Sequence, residues 1–131
     1  MDIKHLNPDS VATPKLPFSN VVVAGDFCFV SGQAALDPKT GELLIKGEFA
    51  SEAKLVFENL LNNLAAVGLT AKDVVKVNAY LGDVSYIKEY NELYRKYFPA
   101  PHPARTTIGC LIGDIRLEID CIAYMKGKSG A

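Results

Sequence analysis

From Ile115 to Tyr124 every second residue is apolar: Ile115, Leu117, Ile119, Cys121 and Ala123 alternate with Arg116, Glu118, Asp120, Ile122 and Tyr124. A period of two sends successive side chains to opposite faces of a strand, so the run from Ile115 to Met125 reads as a strand with one face committed to a core. That face needs a partner, and a stretch with a different period offers one. Ala53, Val56, Phe57, Leu60, Leu61 and Leu64 recur at three- and four-residue spacing, which predicts a helix from about Ser51 to Val67. Glu52, Lys54, Glu58, Asn62 and Asn63 fall mostly on its other side, and Gly68 is placed to end it with a left-handed cap.

The remaining elements follow from local signals. Val21-Val22-Val23-Ala24 and Phe27-Cys28-Phe29-Val30-Ser31 are β-rich runs separated by Gly25-Asp26, a hairpin signal. Asp37-Pro38-Lys39-Thr40-Gly41-Glu42 has the composition of a turn. Val74 to Leu81 reads as a strand, and a second helix runs from Val84 to about Tyr97, with Asp83 or Ser85 as its cap. Val84, Ile87, Tyr94 and Phe98 define one face of that helix, and Pro99, Pro101 and Pro103 stop it. Ala104 to Leu111 is the next strand. The first fifteen or so residues, punctuated by Pro8 and Pro14 with Pro17 close behind, read as an irregular lead-in. The order is hairpin, helix, strand, helix, strand, strand. It predicts one α+β domain over residues 1–131, a mixed sheet with two helices packed on one face. If the second face is also apolar, self-association is the simplest cover for so short a chain.

Composition narrows the function. A formal charge of −1 provides no global basic field, which disfavours nucleic acid as a partner. No apolar run approaches a membrane span, and Met1-Asp2-Ile3-Lys4-His5 lacks the apolar stretch of a secretory signal, so a cytoplasmic location is expected. Cys28, Cys110 and Cys121 are widely spaced in apolar surroundings, where cysteine acts as a small hydrophobe. With His5 and His102 as the two histidines, no convincing zinc set emerges. Tyr86, Tyr90, Tyr94, Tyr97 and Phe98 have helical spacing and read as packing rather than a base-stacking platform.

Several separated segments resemble the RidA/YjgF family, also called L-PSP. They are Ser31-Gly32-Gln33 leading to Asp37 through Glu42, Ala66-Val67-Gly68-Leu69, Asn91-Glu92-Leu93-Tyr94, His102-Pro103-Ala104-Arg105-Thr106 and Glu118-Ile119-Asp120-Cys121-Ile122-Ala123. The resemblance covers nearly the whole chain in the same order and spacing. It implies a chorismate-mutase-like fold, a homotrimer with ligand sites in clefts between subunits, and no cofactor. The implied activity is hydrolysis of 2-imino and enamine acids, such as 2-aminoacrylate and 2-iminobutanoate, to 2-keto acids and ammonia.

Arg105, matching the family's P-A-R, is the expected carboxylate clamp, because a guanidinium offers paired donors in a planar fork. Asp120 stands where catalytic members carry a glutamate that orients or activates water. Its side chain is one methylene shorter, and Glu118 on the same face is the fallback. Ser31, Gly32, Asn91 and Thr107 are the other substrate-binding candidates, Gly32 and Thr107 chiefly through backbone groups. Each also has a structural reading, as strand end, helix surface or strand residue. Phe18 aligns with the tyrosine of the family's G-P-Y-S-Q and Leu16 with its glycine. A phenyl ring forms an apolar wall but donates no hydrogen bond. Two alternatives to the deaminase stay open: a non-catalytic member that binds or senses a 2-keto or amino acid, and an endoribonuclease. The last, reported for some relatives, is least favoured without a histidine pair or basic face.

Overall fold

The computed structural model describes residues 2–44, 47–125 and 127. Six strands form one mixed sheet: β1 (Ile3–Leu6), β2 (Val21–Ala24), β3 (Phe27–Gln33), β4 (Val74–Leu81), β5 (Ala104–Gly109) and β6 (Leu117–Tyr124). Their spatial order is β1-β2-β3-β6-β4-β5, and every neighbouring pair is antiparallel except β4 with β5. Helices α1 (Phe49–Ala65) and α2 (Ile87–Tyr97) share one buried cluster with the inward residues of β3, β4 and β6. The α+β architecture expected from the element order is the one found.

The two-residue alternation is obeyed on β6. Leu117, Ile119, Cys121 and Ala123 are buried beneath the helices, while Glu118, Asp120 and Ile122 are half-buried on the opposite, open face. Gly25 takes φ 59° in the two-residue turn that joins β2 to β3. Gly68 takes φ 78° after α1, where Leu69 N–H returns to Leu64 O at 3.0 Å.

Four expectations need correction. The lead-in is not wholly irregular: Ile3–Leu6 forms a short edge strand on β2. Its residues, Ile3-Lys4-His5-Leu6, are largely exposed, so backbone pairing rather than burial holds it, and no apolar pattern announced it. Met1 of that lead-in lies outside the described residues. The second helix begins as a single 3-10 turn, Val84–Tyr86, capped by Asp83 accepting from Ser85 N–H at 2.8 Å. Its buried face is Tyr90, Tyr94 and Phe98, with Val84 and Ile87 exposed. The change from a 3-10 to an α-helical twist rotates those two residues off the stripe. The strand bounds also shorten, β5 ending at Gly109 and β6 starting at Leu117.

The fourth correction concerns α1: Glu52 and Asn63, expected off its apolar stripe, are buried, and so is Asn59. Glu52 accepts from Arg116 Nε at 2.6 Å and from the backbone N–H groups of Arg116 at 2.8 Å and Leu117 at 3.3 Å. This carboxylate staples the entry of β6 to α1. Removing it in Glu52→Ala leaves two backbone donors without an acceptor. The guanidinium is less stranded, because the Arg116 side chain is 23 % exposed. The expected loss is therefore about 3 kcal/mol, at the low end for a broken buried pair. Urea denaturation of the two proteins measures it.

The cysteines behave as small hydrophobes. Burial pushes the Cys28 thiol up to about 11, and burial with the neighbouring Cys28 and Asp120 also raises Cys121. Cys110 is only partly buried. Iodoacetamide at neutral pH is expected to label Cys110 first and to leave Cys28 and Cys121 untouched until the protein unfolds, read by peptide mass spectrometry.

Candidate functional site

Arg105 is placed by the parallel pairing of β5 on β4, where its register partner is Val77, a core residue. The side chain therefore leaves the sheet on the helix side and lies against α2. Its guanidinium carbon sits 4.8 Å from the Tyr94 ring centroid and 5.5 Å from that of Tyr90. Both distances are within the range where ring quadrupoles attract a cation. Asn91, Tyr94, Arg95, His102, Pro103 and Arg105 line a cleft of about 250 Å³. Among the described residues no carboxylate is paired with this guanidinium.

Polar groups around it are short of partners as well. Tyr90 and Tyr94 hydroxyls, Asn91 Oδ1 and Thr107 Oγ1 are buried without a hydrogen-bond partner among the described residues. Burial holds the Tyr94 hydroxyl up at about 12 and raises Tyr90, with the Arg105 charge pulling the other way in both. Both phenols therefore stay protonated and able to donate at neutral pH. Buried polar atoms are normally satisfied, so a cluster of unsatisfied ones beside an unpaired cation marks a place built to receive something polar.

Asp120 and Glu118 face the other way. They share a second cleft, of about 610 Å³, with Leu16, Phe18, Ser31 and Gly32 on the open face of the sheet. Asp120 lies opposite Asn78 and Glu118 opposite Tyr80 in the β4–β6 register. Asn78 Nδ2 donates to Asp120 Oδ1 at 2.9 Å, and the Tyr80 hydroxyl donates to Oδ2 at 3.0 Å. Lys76, next on that face of β4, donates instead to Thr106 Oγ1 at 2.7 Å.

The expected site residues thus divide between two clefts. Arg105 and Asn91 line the first, with Thr107 beside them on β5, while Phe18, Ser31, Gly32 and Asp120 line the second. Within one chain Arg105 and the acids are separated by the sheet itself. Ser31 is also committed: its N–H donates to Asn20 O at 2.9 Å and its hydroxyl to Ser19 O at 2.5 Å. Asn20 donates to Ala12 O and accepts from Gln33 Nε2, so the segment carrying Phe18 is tied both to the lead-in and to β3. Sequence reasoning overlooked Asn78, Tyr80, Arg95 and His102. Alternation along β4 already places Asn78 and Tyr80 on the face shared with Asp120, so that signal was present.

Residues 10–125 match the family described as Endoribonuclease L-PSP, and the chain belongs to that family. A RutC family protein of Pyrococcus horikoshii is 38 % identical over 120 residues, covering 90 % of this chain and 94 % of the relative. The human 2-iminobutanoate/2-iminopropanoate deaminase is 34 % identical over 109 residues, covering 82 % and 79 %. The crystal structure of RidA from an Antarctic Psychrobacter superposes with a TM-score of 0.86 at 31 % identity, covering 93 % of this chain and 99 % of that one. Among the described residues no group of three histidine, cysteine or acidic side chains gathers to hold a metal, and no helix is long and apolar enough to cross a membrane.

Proposed function

We propose that the protein hydrolyses 2-imino and enamine acids to 2-keto acids and ammonia without a cofactor, at sites completed between subunits of a homotrimer. The observation that carries this reading is the unpaired Arg105 guanidinium, braced on Tyr90 and Tyr94 and ringed by unsatisfied buried donors and acceptors. A carboxylate accepts a bidentate pair from such a fork, and the phenols and the Asn91 and Thr107 side chains offer further polar contacts to the rest of the small molecule. The name of the human relative, a 2-iminobutanoate/2-iminopropanoate deaminase, supports the substrate class.

The placement of the residues supports subunit sharing. A substrate of a few atoms cannot span from Arg105 on one face to Asp120 on the other. Among the described residues the outer edge of β5 is unpaired, and the open face exposes Phe27 and Phe29, each 42 % exposed, together with Tyr124. Setting the β5 edge and Arg105 of one copy against the Phe18–Gly32–Asp120 cleft of the next covers both and completes the set. Phe18 forms the apolar wall, and Asn91, Thr107, Ser31 and Gly32 shape the floor on either side.

The test couples the purified protein to a threonine dehydratase and follows disappearance of the imine. Acceleration is expected, and sedimentation is expected to give three times the 14.2 kDa chain mass. Co-refolding two inactive variants, one altered at Arg105 and one in the acidic cleft, restores part of the activity if the halves come from different copies. A wild-type protein that binds 2-keto acids yet leaves the imine lifetime unchanged makes this a binding member of the family instead.

A further inference from the structure

The cleft that holds Arg105 contains a second guanidinium. Arg95 lines it from α2, while Arg105 lines it from β5. Asn91 and Arg95 stand four residues apart, so both project from one face of α2 toward the cleft. Among the described residues no aspartate or glutamate lines the cleft, and neither arginine has an ion pair. On a chain whose formal charge is −1, two cations around about 250 Å³ without an acid are a local excess of positive charge.

The helix dipole accounts for only part of this. Arg95 and Lys96 both occupy the last turn of α2, where the carbonyl end of a helix favours cations. Lys96 answers that field equally and does not line the cleft. Two guanidiniums in one small cleft repel each other, and bound carboxylates relieve the repulsion. His102 gives the cleft a fixed wall, its Nδ1 donating to Phe98 O at 2.8 Å. The volume lies below the range of drug-sized ligands and suits a molecule the size of an amino acid. Asn91 Oδ1 is buried without a donor among the described residues, and an imine N–H supplies one.

We infer that Arg95 recognises a second carboxylate, carried on the substrate's side chain. The cleft then selects 2-imino acids of the kind formed from glutamate or aspartate over those with apolar side chains. Arg105 keeps the carboxylate next to the imine carbon, and Asn91 accepts from the imine nitrogen. The inference rests on the imine-hydrolysis reading and names its substrate class. The reaction itself is unaltered. Water adds to the imine carbon, the C–N bond breaks with its electron pair on nitrogen, and both water hydrogens leave on ammonia. The water oxygen becomes the keto oxygen of a dicarboxylic 2-keto acid. Arg95 takes no part in those steps and acts on selection.

The paired probes are imines made in place by amino-acid oxidases from D-glutamate and from D-norleucine, similar in length and different in side-chain charge. Semicarbazide traps the imine that survives. The wild-type protein is expected to favour the glutamate imine by about tenfold in kcat/KM, a modest factor because Arg95 is exposed. Arg95→Gln is expected to bring the ratio close to unity and Arg95→Glu to reverse it, with circular dichroism checking that each variant is folded. The wild-type preference is also expected to shrink between about 0.05 and 0.5 M salt, because solvent ions screen an exposed charge. Calorimetry with 2-oxoglutarate and 2-oxohexanoate measures the same preference in binding, independently of turnover.

A wild-type ratio near unity, or a preference that Arg95→Gln leaves intact, overturns this inference. Hydrolysis of the norleucine imine in that case leaves the deaminase reading standing. Binding that favours 2-oxoglutarate through Arg95, with neither imine hydrolysed, overturns the deaminase reading and retains the two-carboxylate site.

Discussion

Replacing Arg105 with alanine is expected to lower kcat/KM for imine hydrolysis by about three orders of magnitude, the loss of roughly 4 kcal/mol of transition-state binding. Among the described residues the side chain makes no ion pair, so its removal is expected to cost little in folding and to act mainly on the ligand. Arg105→Lys keeps the charge but not the planar fork, and is expected to fall between the two. The Tyr94 and Tyr90 rings that brace the guanidinium remain in either variant, so any ligand-independent change is small. Measured rates for Arg105→Ala within tenfold of wild type would remove this residue from the site.

Phe57→Ala carries the largest expected penalty on stability, about 3–5 kcal/mol. Phe57 is fully buried on α1 and stacks on Tyr97 at 4.4 Å and Tyr90 at 6.0 Å between ring centroids, with Tyr94 and Phe98 tilted against it at 6.5 and 6.2 Å. Truncation removes its transferred surface and leaves a cavity that the four remaining rings cannot readily close. Tyr90 and Tyr94 also seat Arg105, so substrate KM is expected to rise together with the loss in urea midpoint. Phe57→Leu, which refills most of the volume, separates the two effects by restoring stability more fully than affinity.

Legibility tracked the physical origin of each feature. β6 and α1 were readable because burial of one face imposes a period, and Leu117, Ile119, Phe57 and Leu60 carry it. β1 was not readable, since Ile3-Lys4-His5-Leu6 is held by backbone hydrogen bonds that leave no mark on side-chain pattern. Glu52 reads from the sequence as lying off the apolar stripe of α1, and that spacing gives no sign of its burial. Its true partner, Arg116, lies 64 residues away in sequence, and pairing across such a gap has no periodic signature. The site was legible as a set of residues and illegible as a shape. Motif matching named Arg105, Asp120, Phe18, Ser31, Gly32, Asn91 and Thr107, while only the register of β5 on β4 reveals that they belong to two faces.

That register also makes the Pro-rich connection between α2 and β5 a ruler. Strand side chains alternate, so sliding β5 by one residue against β4 turns every one of them over. Arg105 would then point away from Tyr90 and Tyr94, and Thr106 would take its place. Outside His102 and Pro103, which line the Arg105 cleft, residues of this loop can therefore change identity at modest cost, whereas inserting or deleting one of them exchanges the two faces of the edge strand. Over evolutionary time the length of this loop, more than its composition, is what such a protein has to preserve.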